Sequence, residues 1–337
     1  MKKKVLILKN DRTGDLFVSH KAINRILSKH FEDEVIMFLS NINYKFNFLF
    51  PNVSFKTFPM HLNIFHKLKI IFYLIFNKLD TVYILTPKNF YYYLPFIFRK
   101  IKFYAITIKS NNGNRPNKFL KKFLYKSVII DRSKITKRNS SYIIQESLIE
   151  NTKNEFLLSK NSKVDHNFVY PDKFDVFHYK YNLFNNLLEW SLDDTCKFLE
   201  NINNNKKYLL FSSEINNEKI NSFFSNRYNT YDFDNNKEKH INEKKIIFLK
   251  NIDGYNLFDL INKSSRVICP EGIMTHMAYY LKKDVTALMF FIIKTKKNFI
   301  EQVISCKEWF PPENYKFIVL KKNLSKSILK ISKRLNK

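Results

Sequence analysis

Glycine is nearly absent from this sequence. The 337 residues include only four glycines, whereas an average usage of about 7% would give roughly 24. A chain this poor in glycine keeps one mainly where the backbone needs a conformation that other residues rarely adopt. Two of the four, Gly14 and Gly272, come shortly after segments that are typical of buried strands. These two positions are therefore the first candidates for a functional site.

Cysteine and long apolar runs are also scarce. The three cysteines, Cys196, Cys269 and Cys306, are far apart and form no CxxC pair. This spacing argues against a disulfide scaffold or a zinc site and favours a reducing compartment. The longest apolar runs, 70–76 and 287–293, are far shorter than a membrane span. The apolar stretch after the basic N-terminus is too short for a signal peptide, so we expect a cytoplasmic protein.

Acidic residues are few beside basic ones. The chain has 58 Lys and Arg against 30 Asp and Glu, a formal net charge of +28. This charge fits an anionic partner, but lysine can equally be the default surface residue of this composition, and both interpretations stay open. Arginine, the better reader of base edges, is scarce, and no zinc-finger or RNA-binding signature is present. We therefore expect no nucleic-acid partner, and a weak attraction to anionic lipid on the inner face of the cytoplasmic membrane.

Short apolar, β-branched runs alternate along the chain with longer amphipathic segments, the pattern of parallel α/β units. Helices are predicted up to about residue 30, over 66–78, over 142–158 and at the C-terminal end. Strands are predicted at 4–8, 34–39, 81–85, 102–108, 127–130, 207–211, 245–249, 266–269, 285–289 and 317–320. The alternation is interrupted once and then restarts. We therefore expect an N-terminal domain over 1–165, an irregular insertion or linker over 166–205, and a C-terminal domain over 206–337.

The first candidate site is the turn that follows the first predicted strand. Its sequence, KNDRTGDLFVSHKAI over 9–23, places Arg12, Thr13 and Gly14 where a loop enters a helix. A glycine there permits close approach of a ligand to the backbone. Asp15 has two interpretations. It can cap the helix by accepting from amides of residues 16–18, or it can stand at the edge of a cleft as a general base.

The second candidate site follows the strand predicted at 266–269. Pro270, Glu271 and Gly272 precede an amphipathic segment over 274–281. A glycine at the start of a helix, where free amides point outward, makes an anion site. His276 falls on the first turn of that helix. A lone histidine is often an ordinary core or surface residue, and contact with a ligand is the alternative.

Both loops together resemble the lipopolysaccharide heptosyltransferase-like proteins, glycosyltransferase family nine. The opening LILKNDRTGDLFVSHKAI is similar to that family's strand and Arg-x-Gly-Asp turn, and LFDLINKSSRVICPEGIMTHMAYYLKKDV to its second signature. WFPP, at 309–312, stands where the family often has Trp-x-Pro. The resemblance covers both halves and is weak from about 150 to 205. It implies two Rossmann-like, doubly wound α/β domains facing across a cleft, the GT-B type.

The resemblance also implies roles for individual residues. Asp15 matches the family's proposed catalytic base, preceded by a phosphate or acceptor loop of Arg12, Thr13 and Gly14. His276 matches the histidine near the donor diphosphate, and Glu271 replaces the usual Asp. Lys219 falls near the family's phosphate-contacting lysine, with an ordinary solvated lysine as the alternative. The donor-binding residues expected are Lys219, Glu271, Gly272, Thr275 and His276.

The function implied is an inverting, metal-independent glycosyl transfer without a cofactor. A nucleotide sugar, with ADP-heptose as one candidate, would donate heptose or a similar sugar to a lipopolysaccharide core or other envelope glycan. Free amides, the helix dipole, His276 and Lys219 would stabilise the leaving diphosphate as fixed positive groups. Lys121, Lys122 and Lys126 would rest on an anionic membrane, or form a solvated helix face.

Three departures from the family pattern leave alternatives open. Glu271 is one methylene longer than the expected Asp, Ile273 stands where the family commonly has Gly, and residues 282–284 replace a usual Gly-Lys-Pro. These changes bear on the identity of the donor more than on the fold. The alternative functions are a non-catalytic protein that binds nucleotides or sugars and, less favoured, a basic nucleic-acid-binding protein.

Overall fold

The computed structural model describes residues 2–110, 113–136, 140–150, 167–203, 208–213, 217–241, 245–292 and 295–335. The chain divides into two compact units. The first consists of Met1–Lys160 and Ile300–Pro312, and the second of Asn161–Phe299 and Glu313–Lys337. Each unit is built around its own sheet.

The first unit contains a mostly parallel sheet. Its strands are β1 (Lys4–Lys9), β2 (Glu34–Leu39), β3 (Ser54–Thr57), β4 (Thr81–Ile84), β5 (Lys102–Ser110), β6 (Gly113–Arg115) and β7 (Lys126–Asp131). The order is β3-β2-β1-β4-β5, and β5 also pairs with β6 and β7. Every pair is parallel except β5 with β6. The strands predicted in this half are confirmed, and the short β3 and β6 were not predicted.

Helices cover both faces of this sheet. They are α1 (Thr13–Val18), α2 (His20–Lys29), α3 (Ile64–Phe76), α4 (Asn89–Ile97), α5 (Lys118–Lys121) and α6 (Ser141–Glu146). Leu6 and Leu8 of β1 share one core with residues of α3, α4 and α5. Side chains alternate along a strand, so Val5 and Ile7 point to the opposite face, and they too are fully buried. The unit is therefore doubly wound, as expected.

The helix predicted over 142–158 is shorter in the structure. Helix α6 ends at Glu146, and Ser147, its C-cap, donates from its hydroxyl to the carbonyl of Ile144 at 2.7 Å. A serine that bonds its own backbone competes with continuation of the helix. Residues 151–158 of the prediction lie outside the described residues.

The second unit contains an eight-stranded sheet. Its strands are β8 (Phe174–His178), β9 (Tyr208–Ser212), β10 (Asn229–Asp232), β11 (Lys237–Lys239), β12 (Ile246–Lys250), β13 (Arg266–Pro270), β14 (Asp284–Met289) and β15 (Tyr315–Val319). The order is β11-β10-β12-β9-β8-β13-β14-β15. Only the pair of β10 with β11 is antiparallel. The strands predicted in this half are confirmed, whereas β8, β10 and β11 were not predicted.

The prediction of an irregular insertion over 166–205 is corrected by this sheet. The segment supplies β8, which pairs with β9 on one side and β13 on the other. It also supplies a π-helical turn, Asn182–Leu187, and helix α7 (Leu192–Asn203). Tyr179, Phe184 and Trp190 join the core of the second unit. The helix predicted from LLEWSLDDTCKFLENI, at 187–202, is confirmed by α7. Strand β8 was missed because HNFVYPDKFDVFHYKYNLF, at 166–184, is rich in aromatics and shows no clean helical or strand period.

The remaining helices of the chain are α8 (Glu218–Ser225), α9 (Gly254–Lys263), α10 (Ile273–Tyr280), α11 (Lys296–Trp309) and α12 (Leu324–Leu335). Helix α11 begins in the second unit and continues into the segment that groups with the first. Within the described ranges, no helix combines the length and the apolar content that crossing a bilayer requires. The expectation of two doubly wound α/β domains is confirmed.

Candidate functional site

The order in which the chain adds strands to the second sheet reverses between the adjacent strands β8 and β13. The chain leaves β8 for β9 on one side, and it leaves β13 for β14 on the other. In open parallel sheets, ligands bind outside the carboxyl ends of the strands at such a switch point. The loop after β13 carries Glu271 and Gly272, and the residues after β8 begin with Tyr179 and Lys180. The topology therefore places the second predicted loop where a ligand is expected.

Gly272 has a backbone conformation that other residues rarely adopt. Its φ is 153° and its ψ is −154°, a region of the backbone map that is essentially reserved for glycine. A Cβ added at this position would meet no atom within 4 Å, so conformation, and not crowding, explains the glycine. Gly272 is the N-cap of α10 and has no side chain with which to satisfy the amides of the first turn. Those amides and the helix dipole favour an anion.

Thr275 contributes to this loop differently from the expectation. Its side chain is buried, and its Oγ1 lies 3.5 Å from the Sγ of Cys269. Burial raises the pKa of the Cys269 thiol to about 12, so the thiol stays protonated at neutral pH. The Thr275 hydroxyl therefore packs against the end of β13. Its backbone amide, in the first turn of α10, is the group suited to contact a donor.

His276 is neutral at physiological pH. It is 5% exposed, and burial lowers its pKa to about 4. Its Nε2 lies 3.9 Å from Oε1 of Glu271. Desolvation disfavours the imidazolium, so burial alone does not make His276 a positive group, and its expected contact with the donor diphosphate stays a prediction. A neutral imidazole can still offer one hydrogen bond.

Lys180, which the sequence analysis missed, is the cation that acts on Glu271. Burial raises the pKa of the Glu271 carboxyl, and the nearby Lys180 ammonium opposes that shift. Lys180 is half-buried and follows β8 by two residues, so the switch point of the sheet carries a lysine of its own. The signal was a lysine shortly after an apolar run, but the run was not recognised as a strand.

His178 closes β8 beside the end of β9. Its Nδ1 lies 3.0 Å from Oγ of Ser212. Burial lowers the pKa of His178 to about 4, so its ring is neutral. The ends of β8 and β9 are therefore joined by an uncharged polar contact at the same edge of the sheet as Gly272.

Lys219 lies at that edge but farther away. It is exposed in the first turn of α8, which follows β9. Strand β9 is two strands from β13, which corresponds to about 10 Å. Among the contacts of the described residues, none joins Lys219 to the Gly272 loop. Its role in donor binding stays a prediction.

The first predicted loop forms helix α1 in the first unit. Arg12 is the exposed N-cap, Thr13 is buried, and Gly14 lies within the helix. Asp15 is therefore not the N-cap. It is the third residue of α1, and its carboxylate accepts a hydrogen bond from the backbone of Arg12. This is half of a capping box, so the predicted cap on the amides of residues 16–18 is wrong, and the amide that Asp15 satisfies is that of Arg12.

Asp15 stands in an environment suited to a general base. Burial raises the pKa of its carboxyl, and the Asp11 charge raises it too, while Lys9 and Arg12 lower it. Proton transfer is most efficient when the pKa of the base approaches the operating pH. The half-buried position of Asp15 moves its pKa in that direction.

A polar network at the end of β1 surrounds this position. The Nζ of Lys9 lies 2.7 Å from Oδ2 of Asp11, and Thr86 donates to the same oxygen at 2.9 Å. Asn43 donates to the Asp11 carbonyl at 3.0 Å. Lys9, Asp11 and Thr86 lie at the carboxyl ends of β1 and β4, between which the strand order of the first sheet reverses, and Asn43 reaches them from the segment after β2. The sequence analysis missed all four, although a lysine directly after an apolar strand was a signal.

Lys88 links the loop after β1 to the segment after β3 by hydrogen bonds. Its Nζ donates to the carbonyls of Asn10 at 2.8 Å and Met60 at 2.6 Å. Burial lowers its pKa to about 8. Lys88 therefore retains most of its charge near neutral pH and holds two backbone segments together.

Glu308 is a further acidic group of the first unit that the sequence analysis missed. It is 3% exposed and pairs with Arg132, whose Nε lies 2.9 Å from its Oε2. Burial raises the pKa of Glu308, Arg132 lowers it, and the charge of Asp15 raises it again. Asp15 and Glu308 thus repel one another when both are ionised. Among the described residues, no group of three or more His, Cys, Asp or Glu side chains is placed to hold a metal ion.

The fold is shared with sugar-nucleotide enzymes. No protein-family model and no curated protein matches the sequence. The ADP-heptose lipopolysaccharide heptosyltransferase II of E. coli matches with a TM-score of 0.62 at 11% identity, over 99% of this chain and 98% of that one. A family 9 glycosyl transferase from Veillonella parvula matches with a TM-score of 0.59 at 12% identity, over 98% and 89%. The UDP-GlcNAc 2-epimerase of Methanocaldococcus jannaschii matches at 0.56 and 13%, over 99% and 93%.

These likenesses confirm the resemblance at the level of the fold. The match extends over both units of this chain, because 99% of it is covered. Identities of 11–13% carry the architecture and not the chemistry, since one fold hosts several activities. The chain therefore has the fold of the proteins that its two motifs resemble.

Proposed function

We propose that the protein is an inverting, metal-independent glycosyltransferase that uses a nucleotide-sugar donor. The observation that carries this proposal is the Gly272 loop. A glycine-only conformation caps a helix at the switch point of the second sheet, in a chain with the fold of a heptosyltransferase. A helix N-terminus at a switch point is suited to a pyrophosphate.

We assign the donor to the second unit. The first-turn amides of α10 would receive the diphosphate, and the neutral His276 would supply one more hydrogen bond. Lys180 and Lys219 are the cations at the same edge of the sheet. As the sugar becomes oxocarbenium-like, negative charge grows on the leaving diphosphate, and preorganised donors stabilise it. The departure from the family at Glu271 makes a sugar other than heptose the alternative.

We assign the acceptor to the first unit, where Asp15 is the catalytic base. An acceptor hydroxyl is a weak nucleophile, so a carboxylate must take its proton as the glycosidic bond forms. The bond from the anomeric carbon to the diphosphate breaks in the same step, which inverts the configuration. The acceptor would be a lipopolysaccharide core or another envelope glycan, as for the heptosyltransferase that the fold resembles.

A thermal-shift panel tests the donor assignment. ADP, UDP, GDP and their sugars are added separately to the full chain, with inorganic phosphate as the control for simple anion binding. A ligand at 100 times its dissociation constant should stabilise the protein by about 2.7 kcal/mol. We expect one nucleoside diphosphate to stabilise more than the others and more than phosphate. No shift with any nucleotide would contradict the proposal.

The same panel separates the rival activities. The nucleotide sugar that stabilises the protein is incubated with it, and released nucleotide and sugar are followed by mass spectrometry. Glycosyl transfer consumes donor only when an acceptor glycan is present. A fold-sharing epimerase would convert UDP-GlcNAc without an acceptor, and a non-catalytic binder would bind and release its ligand unchanged.

A further inference from the structure

Helix α3 presents an apolar face to solvent. Six large side chains on it are 42–76% exposed: Ile64, Phe65, Leu68, Phe72, Ile75 and Phe76. At 100° per residue, these six fall within about 120° of the helix circumference, and the opposite side buries Ile70 and Leu74 against the sheet. Large apolar patches on a soluble surface mark interaction sites. The exposed face of α3 is therefore a candidate docking surface.

Helices α4 and α5 extend this apolar face. They pack in the same core as α3, so all three helices cover one side of the first sheet. Their exposed apolar residues include Tyr93, Phe96 and Ile97 of α4 and Phe119 of α5. Phe96 and Phe119 contact one another, with ring centroids 5.9 Å apart. We call the outer surface of α3, α4 and α5 the aromatic face.

Basic side chains surround the aromatic face, and acidic ones are nearly absent from this part of the chain. Between Glu34 and Asp131 the sequence contains 15 lysines and arginines and one acidic residue, Asp80. Asp80 is outside the three helices, and its carboxylate accepts from the backbone amide of Lys4. Exposed basic residues near the face include Lys69, Arg99, Lys100, Lys118 and Lys122.

Some of these cations contact the aromatic rings directly. The guanidinium carbon of Arg99 lies 5.6 Å from the ring centroid of Phe96 and 5.3 Å from that of Phe123. An apolar surface flanked by lysine and arginine matches the boundary between lipid headgroups and acyl chains. Of the three lysines expected at a membrane, Lys121 and Lys122 lie at α5, whereas Lys126 belongs to β7 and pairs with Glu150 at 3.4 Å.

We propose that the aromatic face docks on an anionic lipid bilayer, with α3 lying in the plane of the interface. Charge complementarity selects this occupant. A second copy of the chain would bring another basic surface against the first and repel it, whereas anionic headgroups attract it and acyl chains accept the phenylalanines. The inference is independent of the proposed transfer reaction, because docking needs no catalysis.

Vesicle flotation of the full chain tests the proposal. The vesicles are phosphatidylcholine alone, or phosphatidylcholine mixed with an equal amount of phosphatidylglycerol. The test variant is Phe65→Ser/Phe72→Ser/Phe76→Ser, which removes three rings from the outer face of α3. We expect the parent chain to bind the anionic vesicles, and the variant to partition into them at least about tenfold less. High salt should weaken parental binding.

A matched control separates binding through the aromatic face from non-specific adsorption through other exposed apolar residues. Phe31→Ser/Val169→Ser/Ile241→Ser removes three exposed apolar side chains, 41–84% exposed, that lie outside the face. We expect the control to float like the parent. Equal flotation of the test variant and the parent would overturn the proposal, provided that both melt at the same temperature.

Two further measurements distinguish a lipid bilayer from a second copy of the chain as the occupant of the aromatic face. Light scattering without lipid should show the same oligomeric state for the parent and the test variant. A parental dimer that dissociates in the variant, with no vesicle binding, would overturn the bilayer proposal in favour of a homodimer. Phe72→Trp should be quenched by brominated acyl chains, since this side chain is assigned to the interface, and absence of quenching would count against the proposal. The thermal shift expected with a donor nucleotide does not depend on the outcome of either measurement, so the docking proposal and the proposed function are tested separately.

Discussion

The Nζ of Lys9 lies 2.7 Å from the Oδ2 of Asp11, although Lys9 is only 1% exposed. Thr86 donates to the same carboxylate oxygen from the end of β4. A buried ammonium is costly unless a partner compensates it. The pair therefore holds the segment between β1 and α1 against the end of β4, and α1 carries Asp15.

Lys9→Met should destabilise the first unit. The change removes the cation and leaves the Asp11 carboxylate largely buried without its partner, so the free energy of unfolding should fall by about 3 kcal/mol. Urea denaturation measures this. Lys9→Met/Asp11→Asn removes both charges and should regain part of the loss. A single variant within about 0.5 kcal/mol of the parent would show that the pair contributes little.

Asp15→Asn should abolish transfer without affecting the donor. The amide keeps the size of the side chain but cannot accept a proton, and general-base catalysis is worth about 10²–10⁴ in rate. Calorimetry should give an unchanged affinity for the donor nucleotide, because the donor is assigned to the second unit. Asp253→Asn is the matched control, since asparagine still caps α9. Equal loss of donor binding and transfer at Asp15 would indicate a structural role.

The alternation of apolar runs was enough to predict most of the fold. Strands buried on both faces, such as β1 and β13, read as continuous apolar segments, and their helices show a clear period. Strand β8 could not be predicted in the same way. Its sequence, FDVFH, is interrupted by Asp175, which pairs with Arg266 of the neighbouring strand, a long-range contact that no local pattern reveals.

The sequence predicted those parts of the candidate site that depend on local backbone and side-chain chemistry. Gly272 needs a particular backbone conformation, and this requirement is visible in a chain with almost no glycine. The protonation state of His276 was not visible, because it depends on burial by distant residues. Lys180 and Glu308 were missed for the same reason, since β8 and α11 bring them to their sites from elsewhere in the chain.

Gly272→Ala should weaken both the fold and the site. An alanine at φ 153° and ψ −154° is strained by about 1–3 kcal/mol, although the added methyl group meets no atom within 4 Å. Relief of that strain would reorient the first-turn amides of α10, so nucleotide affinity should fall together with the melting temperature.

Gly254→Ala is the control for this prediction. Gly254 is the first residue of α9, whose amides are capped by Asp253, and alanine favours a helix more than glycine by up to about 1 kcal/mol. The control should be neutral or stabilising and should bind nucleotide like the parent. If Gly272→Ala behaves in the same way, the backbone conformation assigned to Gly272 is wrong.

The free energy of unfolding should decrease as the pH is lowered, because His276 is buried in its neutral form. Its pKa is about 4 in the folded chain and about 6.5 in an unfolded chain. Between these values the unfolded state binds more protons, so the free energy of unfolding decreases as the pH falls from 6.5 to 4. A difference of about 2.5 pKa units corresponds to roughly 3 kcal/mol. His20 and His178, whose pKa values are also lowered to about 4 by burial, add to the same trend.

His276→Gln isolates the contribution of this residue to the acid sensitivity. Glutamine does not titrate, so the loss of stability between pH 7 and pH 4 should be smaller in the variant than in the parent, by up to about 3 kcal/mol. Urea titrations at several pH values measure the difference, and His61→Gln, at an exposed site, is the control for the same substitution. Parallel pH curves for His276→Gln and the parent would mean that His276 already binds its proton in the folded chain as readily as in the unfolded chain. The anion site would then contain an imidazolium, and nucleoside diphosphate binding should strengthen as the pH falls through the pKa of that group.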